Sequence, residues 1–462
     1  MSYIGSTPTT QSFIAGTDYF SGTGSQTAFT LSRSVVSVND IQATVNNVVQ
    51  VPNDAYTVSG TTITFTSAPS AGTNNVYVRY LSTTTQSITP SQGTVGWNTL
   101  DSNIQQDLGV MYKNRVINGN MVINQRGFSG TVTTDAVYTL DRWKARSSPG
   151  SRYSISQNAG SVTPPTGFVN YLGATSLSAY SPISADFFSI NQLFEGNNVS
   201  DLAWGTANAK TVTLSFWVYS SLTGTFGGSF TSGVDFNYSY PFTYTISAAN
   251  TWQYKTVTVV GPTAGNWSTT NGSSIEMWFT IGLGTTYAGT ANTWQSGGKI
   301  GPSGCVNVVA TNGATFYLTG VQLEVGTQAT TFTTAGGSYG AELALCQRYF
   351  RTVGRGGAAT PMSVQGAQYL DSNTIYLSYL ADLTSMRALP TASLNGTANT
   401  DYAIYNSGFS PQTGFTFTLG VYQGFTGYQI QTTKTSHGLS NLPSLYFGSV
   451  TSSGFVSLSS EL

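Results

Sequence analysis

The sequence predicts an all-β protein with several domains, and three of its properties support this class. Thr, Val, Tyr, Phe and Ser dominate in short alternating runs that Gly and Asn interrupt, a pattern typical of antiparallel sheets. The chain of 462 residues is too long for one hydrophobic core. Its 39% of hydrophobic residues is enough to fill real cores, which argues against wholesale disorder.

The chain opens with a polar, turn-rich segment, residues 1–15, which predicts an arm that becomes ordered on a partner. Its apolar residues are the expected anchors: Tyr3, Ile4, Phe13 and Ile14. Residues 16–83 then predict a small β module. Its strands are expected at residues 28–31, 41–45, 48–51, 56–58, 62–65 and 76–81, with turns at 46–47, 52–54, 59–60 and 69–72.

Residues 84–114 predict a linker followed by a short helical neck. The linker, residues 84–96, is rich in Thr, Ser, Gln, Pro and Gly. Two interpretations of the neck stay open: one helix lying on an adjacent sheet, or a self-associating helix whose heptad is imperfect. Its apolar residues recur every three or four positions, at Trp97, Leu100, Ile104, Leu108 and Met111.

Residues 115–335 predict a jelly-roll-like β-sandwich. Strand candidates at 211–219, 251–260, 275–281 and 314–325, joined by loops rich in Gly, Ser and Asn, fit two packed sheets. Residues 336–350 predict a short connecting helix around 342–349, and residues 351–462 predict a C-terminal β tip. In the strand TVTLSFWVYS (211–220) the alternation places four apolar side chains on one face: Val212, Leu214, Phe216 and Val218.

Ionisable side chains are scarce, which argues against an enzyme. Only 8% of the residues are charged, and the chain contains one histidine (His437) and two cysteines. General acid–base, nucleophilic and metal-assisted catalysis all need titratable groups that are brought together. We therefore expect no cofactor and no metal. A calcium site that uses Glu324 or Asp141 stays an alternative, because calcium prefers carboxylate and backbone oxygens.

The net charge of −1, without any Lys/Arg cluster, argues against binding to nucleic acid or to an acidic membrane. The N-terminus lacks the basic and apolar regions of a signal peptide, and no apolar run approaches the roughly 18 residues of a membrane span. The expectation is a protein made in a cytoplasm, without membrane insertion. A β protein with so few charges would also gain from hiding its strand edges in an oligomer.

Arg126, Asp141 and Arg142 are charges in a nearly uncharged chain, so we expect them to be paired, at least partly away from solvent, in a structural ion-pair cluster. Glu324, in an apolar strand, is a further candidate for this cluster, and contact with a ligand is the alternative role. In the Asn-Gly-Asn sequence at 118–120, the central Gly119 predicts a tight turn with a positive φ.

The two cysteines, Cys305 and Cys346, predict either two buried free thiols or a single bridge. Cys346 lies in the predicted short helix and is expected to pack as a small hydrophobic residue. His437 is the only residue that could act as a base for it, so a Cys–His nucleophile is not expected.

Three groups of motifs resemble parts of tailed-bacteriophage tail fibre proteins. Residues 20–81, with VNDIQATVNNVVQ and ITFTSAPSAG, resemble the small β module near the N-terminus of such fibres. NRVINGNMVINQRG (114–127) with TLDRWKA (139–145), and YLTGVQLEVGTQATTFTT (317–334) with ELALCQRYFR (342–351), resemble their carbohydrate-binding-module-like sandwich. SMRALPTAS (385–393) resembles the strand that opens their C-terminal domain. The order of the motifs along the chain is what makes the resemblance specific.

The resemblance implies an elongated, homotrimeric fibre subunit in the virion. Its N-terminal arm would attach to a phage tail or adaptor protein, and its distal domains would bind host surface polysaccharide. Aromatic side chains would stack on the sugar rings. The expected stacking residues lie in predicted loops: Tyr405, Tyr422 and Tyr428 in the tip, or Trp267 and Trp294 in the sandwich.

Two other classes stay open. A purely structural virion component, such as a head fibre or collar piece, would share all of these features. A glycan-depolymerising tailspike would need two carboxylates about 5–10 Å apart across the scissile bond. No period of 20–50 residues marks the rungs of a β-helix. The acids from which such a pair could form are Asp235, Glu276, Glu324, Asp371, Asp382 and Asp401.

Overall fold

The structure is a computed structural model that describes residues 16–81 and 113–353. Beyond residue 353 it describes the segments 361–362, 367–371, 374–380, 386–388, 390–395, 402–405, 411–412, 416–421, 427–433, 446–449 and 455–462. The predicted attachment arm and nearly all of the predicted linker and neck lie outside these residues. The chain divides into two compact units, residues 1–100 and residues 101–462. The predicted sandwich, connecting helix and tip all belong to the second unit.

Over its described residues, 16–81, the first unit is a small β module of six strands. A four-stranded antiparallel sheet has the order β1-β6-β3-β4, and β2 pairs with β5. The aromatic and aliphatic side chains of both sheets form one core that includes Phe29, Tyr56 and Val78. The strands are β1 (Thr17–Gly22), β2 (Ala28–Val35), β3 (Ile41–Val45), β4 (Val48–Val49), β5 (Tyr56–Phe65) and β6 (Gly72–Tyr80), with a 3-10 helix at Val38–Asp40.

Two turn predictions in this module had different outcomes. The hairpin at Asn46 and Asn47 is confirmed, because both residues have the positive φ (47° and 65°) that a two-residue turn between twisted strands requires. The turn predicted at Ser59 and Gly60 is wrong, because β5 continues through both residues. Gly60, with φ 59°, lies where the register between β2 and β5 shifts, so the glycine makes a bulge instead of a turn.

The second unit contains a two-sheet β-sandwich, as the sequence predicts. Its six-stranded sheet has the order β16-β13-β21-β11-β10-β7, its seven-stranded sheet has the order β19-β15-β14-β17-β12-β9-β8, and the short strands β18 and β20 pair in parallel. The strands are β7 (Ser129–Thr131), β8 (Val137–Tyr138), β9 (Lys144–Ser148), β10 (Tyr153–Gln157), β11 (Leu172–Ser176), β12 (Phe187–Glu195), β13 (Val212–Ser220), β14 (Gly224–Ser232), β15 (Tyr238–Ile246), β16 (Gln253–Val259), β17 (Ser273–Leu283), β18 (Ala288–Gly289), β19 (Gln295–Ser296), β20 (Gly301–Pro302) and β21 (Thr315–Val325).

The core lies between the two sheets. The predicted alternation in β13 is confirmed, because Val212, Leu214, Phe216 and Val218 are all fully buried. The Phe216 ring contacts the ring of Phe279, on β17 of the opposite sheet, with ring centroids 5.0 Å apart. Aromatic contacts of this kind join the two sheets along their inner faces. Short helical segments connect the strands: α1 (Gly196–Val199) and 3-10 helices at Ala159–Ser161, Ser200–Leu202, Thr285–Tyr287 and Val308–Ala310.

The Asn-Gly-Asn turn is present, but the glycine is required for a different reason from the one predicted. Asn118 and Met121 have positive φ (59° and 58°), and Gly119 does not. A Cβ atom on Gly119 would lie 2.1 Å from the carbonyl oxygen of Val321 on β21. Only glycine allows this close backbone approach, and the Val321 N–H donates to the Gly119 carbonyl at 2.9 Å.

The predicted connecting helix is α2 (Tyr339–Gln347), three residues earlier than expected. The side chain of Ser338 caps its first turn by accepting a hydrogen bond from the Ala341 N–H. The strands that follow form three sheets, ordered β22-β32-β26, β23-β31-β27-β28 and β24-β25-β30-β29. They are β22 (Phe350–Val353), β23 (Pro361–Met362), β24 (Ala367–Asp371), β25 (Thr374–Leu380), β26 (Thr391–Asn395), β27 (Tyr402–Tyr405), β28 (Pro411–Gln412), β29 (Thr416–Val421), β30 (Gly427–Thr433), β31 (Tyr446–Ser449) and β32 (Phe455–Ser459).

Among the described residues, no helix combines the length and the apolar character that crossing a membrane would demand.

Candidate functional site

A group of six aromatic residues covers the outer face of the six-stranded sheet. The alternation that buries Phe216 and Val218 turns Trp217 and Tyr219 to the opposite face of β13. The register places Trp217 beside Tyr254 on β16, and Tyr219 beside Tyr317 on β21. We call this group the aromatic face; its members are Tyr171, Trp217, Tyr219, Trp252, Tyr254 and Tyr317.

The rings of the aromatic face form one contacting group of four and one separate contacting pair. Tyr219 and Tyr317 are stacked, with centroids 5.2 Å apart and an interplanar angle of 8°. Tyr171 and Trp252 extend this stack, each within 5.5 Å of one of its two rings. Trp217 and Tyr254 form a second pair at 5.5 Å. The sheet thus supports a broad surface of rings whose positions are set by their neighbours.

Two glycines make room for these rings. A Cβ atom on Gly173 would lie 2.7 Å from the ring of Tyr317, and one on Gly320 would lie 3.1 Å from the ring of Trp217. Gly320 also has a φ of 60°, a conformation that disfavours other residues. The missing side chains allow the rings to lie close to the sheet.

A loop between β10 and β11 fixes one end of the aromatic face. The Tyr171 hydroxyl donates to the carbonyl oxygen of Ala159 at 2.5 Å and accepts from the Val162 N–H at 2.8 Å. The Trp252 indole N–H donates to the carbonyl oxygen of Thr163 at 2.9 Å. These bonds hold the two rings in place before any ligand is bound.

The aromatic face is partly exposed and uncharged. Tyr254 is 44% exposed, Trp217, Tyr219 and Trp252 are half-buried, and Tyr171 and Tyr317 are buried. Burial raises the pKa of Tyr317 above its ordinary value of 10.0, so its phenol stays neutral at physiological pH. A neutral surface of rings suits the apolar face of a flat, uncharged ligand.

Trp267 and Trp294 lie in loops, as predicted, but their rings pack against each other and against the core. Trp204 contacts both indoles, at 5.0 and 5.5 Å, and Tyr238 stacks on Trp294 at 5.5 Å with an angle of 4°. Both indole N–H groups already donate to backbone carbonyl oxygens, those of Ala264 and Val260. The two residues are half-buried parts of an aromatic packing cluster.

The loop positions predicted for the tip tyrosines are wrong for two of the three. Tyr405 ends β27, and Tyr428 belongs to β30, where it lies between Tyr379 and Val421 in the register. Alternating residues of Tyr/Phe-rich segments pair into strands even where Gly and Asn are close by. Tyr422 lies outside the described residues.

Arg126 and Arg142 belong to an ion-pair cluster largely away from solvent, as predicted, but their partner is Glu461 and Asp141 is not part of the cluster. Arg126 lies 2.7 Å from Glu461, and the fully buried Arg142 contacts its other carboxylate oxygen. Asp141 instead accepts hydrogen bonds from the backbone N–H and the side chain of Gln125, at 2.7 and 2.6 Å. Glu461 lies more than 300 positions from both arginines in the sequence, so a local sequence pattern could not have predicted this pairing.

Glu324 does not join that cluster. Its carboxylate accepts hydrogen bonds from the Thr330 N–H and hydroxyl, at 2.8 and 2.7 Å, and from Gln322 at 2.8 Å, with Lys113 at 3.8 Å. Glu324 therefore fixes the loop that follows β21. The described residues contain no group of three or more His, Cys, Asp or Glu side chains placed to hold a metal ion.

Both cysteines are free thiols, so the alternative prediction of a disulfide bridge between them is wrong. Cys346, on α2, is fully buried and packs against Ile117, Ile123 and Tyr349 as a small hydrophobic residue. Burial raises the pKa of both thiols, that of Cys305 to about 11. His437 lies outside the described residues.

The acids considered for a depolymerase lie on separate elements where the structure describes them. Asp235 is exposed in the loop after β14, Glu276 lies on β17 and Glu324 on β21 of the other sheet. Asp371 ends β24, and Asp382 and Asp401 lie outside the described residues.

Neither a protein-family model nor a curated protein sequence matches the chain. Solved structures that resemble it include a CBM4 structure (TM-score 0.24, 17% identity, 44% of this chain and 99% of that chain). The family 11 carbohydrate-binding module from Clostridium thermocellum, in complex with a beta-1,3-1,4-mixed-linked tetrasaccharide, is similar at a TM-score of 0.21 and 14% identity, over 44% of this chain and 99% of that chain. The enzymatically active domain of bacteriophage CBA120 tailspike protein 4 is similar at a TM-score of 0.24 and 11% identity, over 47% of this chain and 22% of that chain.

Proposed function

We propose that this protein binds neutral glycan through the aromatic face of its sandwich. The observation that carries the proposal is the presence, on one face of one sheet, of a group of four contacting rings (Tyr171, Tyr219, Trp252 and Tyr317) and a second contacting pair (Trp217 and Tyr254). Sugar rings have apolar C–H faces that pack on aromatic rings, and their hydroxyl groups bond to nearby polar side chains. Binding of a neutral glycan requires no charged side chain, and the six residues of the aromatic face are all uncharged.

Preformed rings reduce the entropy that binding costs. Hydrogen bonds to the β10–β11 loop fix the side chains of Tyr171 and Trp252 in the free protein. The Tyr317 ring is fixed by its close packing against Gly173. Rings that are already ordered lose little conformational freedom when a sugar stacks on them. Each exposed ring that makes such a contact contributes about 0.5–1.5 kcal/mol.

We further propose that the glycan belongs to a bacterial surface and that the chain is a subunit of a tailed-phage fibre. The support is the ordered set of motifs that resemble such fibres, together with the scarcity of catalytic side chains. In this role residues 1–15 attach the subunit to the virion, and the neck joins three copies. The protein acts by adsorption, without cleaving the glycan.

The test uses the full-length protein on a microarray of bacterial surface polysaccharides. Trp217→Ala and Tyr254→Ala are each expected to weaken binding to any polysaccharide that the unaltered protein retains, by about five- to tenfold. The double variant is expected to lose binding, with its melting temperature lowered by no more than a few degrees. Tyr19→Ala is a matched control, since Tyr19 is 62% exposed and contacts the ring of Tyr77 on the small module.

A second variant separates the aromatic face from the tip. Tyr405, Tyr422 and Tyr428 are replaced together by Ala, and binding is measured on the same array. Retained binding in this variant, together with loss in the Trp217/Tyr254 double variant, supports the aromatic face. The opposite result places the glycan site in the tip and overturns the proposal. Release of shorter sugars from the bound polysaccharide would overturn the proposal of adsorption without cleavage.

A further inference from the structure

The outer face of the seven-stranded sheet is polar, in contrast to the aromatic face of the other sheet. The register places its outward side chains in rows that run across neighbouring strands. One row holds Lys144 on β9, Asn191 on β12 and Trp278 on β17. Glu276 lies two residues before Trp278 on the same side of β17, and Ser189 lies two residues before Asn191 on the same side of β12. We call these five residues the polar patch.

Two side chains of the polar patch are buried and have no hydrogen-bond partner. Asn191 is 0% exposed, and neither its amide nitrogen nor its carbonyl oxygen is hydrogen-bonded. Ser189 is also 0% exposed, and its hydroxyl group has no hydrogen-bond partner. A buried polar group without a partner costs about 1–3 kcal/mol. The free protein therefore carries donors and acceptors that something else could satisfy.

The charges of the polar patch balance. Arg146, the neighbour of Lys144 on β9, is paired with Asp135 at 2.8 Å. Within the described residues, neither Lys144 nor Glu276 has an ion-pair partner within 4 Å. The Lys144 amine contacts the backbone oxygen of Leu462 at 3.3 Å and lies 4.8 Å from the centre of the Tyr138 ring. Burial raises the pKa of the Glu276 carboxyl and lowers that of the Lys144 amine to about 8. One acid and one base leave no net charge to attract an ion of either sign.

The patch meets solvent at one edge only, and its aromatic wall, Trp278, is 1% exposed. Glu276 and Arg146 are half-buried, so solvent reaches this edge of the patch. The Trp278 indole is fixed by a hydrogen bond from its N–H to the Thr231 hydroxyl, at 2.9 Å. Phe236 packs beside the indole, and the Arg146 guanidinium lies 4.8 Å above it. Movement of the Arg146 side chain away from the indole would open that face of the ring to a ligand.

We propose that the polar patch is a second binding site, which takes a neutral polyhydroxylated molecule of about the size of one sugar unit. A hydroxyl group both donates and accepts, so a polyol can satisfy the amide of Asn191, the hydroxyl of Ser189, the carboxylate of Glu276 and the amine of Lys144 together. A cation would be opposed by Lys144, and an anion by Glu276. Trp278 provides an apolar surface for the C–H face. This site lies on the opposite sheet from the aromatic face, and it does not depend on the function proposed for that face.

The experiment observes both faces in one sample by fluorine NMR. The full chain is labelled with 5-fluorotryptophan, which gives one resonance for each of its eight tryptophans. Trp278→Phe and Trp217→Phe assign the resonances of the polar patch and of the aromatic face. The probes are D-glucose, D-galactose, D-mannose, N-acetyl-D-glucosamine and glycerol, titrated separately to high millimolar concentration. We expect the Trp278 resonance to shift saturably with at least one of them.

Two substitutions test the named side chains. Asn191→Leu is expected to abolish the Trp278 shift, and Glu276→Gln to weaken the affinity about tenfold, which corresponds to one buried hydrogen bond. Asn191→Leu should leave the melting temperature unchanged or raise it, because it removes an unsatisfied polar group. A residue with a structural role alone would lower it. Tyr254→Ala, on the other sheet, is the control and should leave the Trp278 titration unaltered.

The outcomes separate the two proposals. A Trp278 resonance that no probe moves, or a shift that persists in Asn191→Leu, overturns the second site and leaves the aromatic face untouched. Sugar-dependent shifts at Trp217 report on the aromatic face alone. Glycerol distinguishes the ligand sources: a shift with glycerol as large as that with every sugar means that the patch binds any polyol, and a shift with sugars only means that it recognises the ring.

Discussion

Arg142 and Glu461 form a buried ion pair between residues 319 positions apart in the sequence. The Arg142 guanidinium also donates to the carbonyl oxygen of Leu193 at 2.5 Å and lies 3.6 Å from the centre of the Tyr349 ring. Arg126 reaches the second oxygen of the same carboxylate at 2.7 Å. One glutamate after β32 thus neutralises two arginines near the start of the second unit. The C-terminal sheet β22-β32-β26 is thereby joined to the sandwich.

Glu461→Ala is expected to destabilise the second unit by about 3–5 kcal/mol, because it leaves the charge of Arg142 buried without its partner. Urea unfolding followed by tryptophan fluorescence measures the effect. Asp201→Ala is the control: it breaks the pair between Arg115 and Asp201, in which the aspartate is 43% exposed, and should cost no more than about 1 kcal/mol. Equal losses of unfolding free energy in the two variants would show that the buried ion pair of Glu461 stabilises the protein no more than the exposed pair of Asp201.

Gly119→Ala is expected to destabilise the same unit by about 1–3 kcal/mol, since the new Cβ would overlap the carbonyl oxygen of Val321. Gly340→Ala is the matched control. Gly340 lies in α2 with no atom within 4 Å of its added Cβ, so the same change should stabilise by about 0.4–1 kcal/mol. Thermal unfolding of both variants gives the comparison. A neutral Gly119→Ala would contradict the close approach of the two backbones.

The stability of the second unit should fall between pH 4 and pH 6 through Asp141. Burial raises the pKa of this carboxyl from 3.8 to about 6, so the folded state still holds a proton that the unfolded state has already released. The contribution of Asp141 to the free energy of unfolding is fully present at a pH below the pKa of the carboxyl in the unfolded chain. It is lost as the pH rises through the pKa of the carboxyl in the folded protein, and the total loss is about 3 kcal/mol. In urea unfolding, Asp141→Asn should remove this part of the slope, whatever its effect on the absolute stability. Asp54→Asn, which changes an exposed residue of the first unit, should keep the slope.

We expect the chain to be a homotrimer held together by the neck. Three copies of the stripe from Trp97 to Met111 can bury Leu100, Ile104 and Leu108 on a shared axis, at about 1.5–3 kcal/mol for each side chain. Light scattering should then give three times the chain mass of 48.8 kDa. Ile104→Asp is expected to yield monomers, whereas Gln105→Asp, at the next position, should remain trimeric. A monomer or dimer at micromolar concentration would contradict this prediction.

Deletion of residues 1–15 should leave a folded, soluble oligomer that is missing from assembled virions. The physical reason is that this segment is too polar to fold alone, while Tyr3, Ile4, Phe13 and Ile14 can be buried on a partner. Immunoblotting of purified particles measures incorporation. Normal incorporation of the truncated chain would show that attachment uses another segment.

The sequence by itself determined the class of fold and much of its local structure. The two-residue period of β13 set which side chains fill the core, and Asn46 and Asn47 set a hairpin, because both signals depend only on neighbouring residues. The same period contained an unused signal for the candidate site. Trp217 and Tyr219 are large aromatic residues in the outward phase of a strand, where small polar residues are more usual.

Tertiary structure alone decided what these residues meet. Strand order puts Tyr317 beside Tyr219, Glu461 beside Arg142, and Val321 so close to Gly119 that no side chain fits. It also leaves the amide of Asn191 buried without a partner. Each of these relationships joins or isolates groups across elements that are distant along the chain. Local propensity does not encode such pairings, because they depend on how whole sheets assemble and which loops and termini cover them.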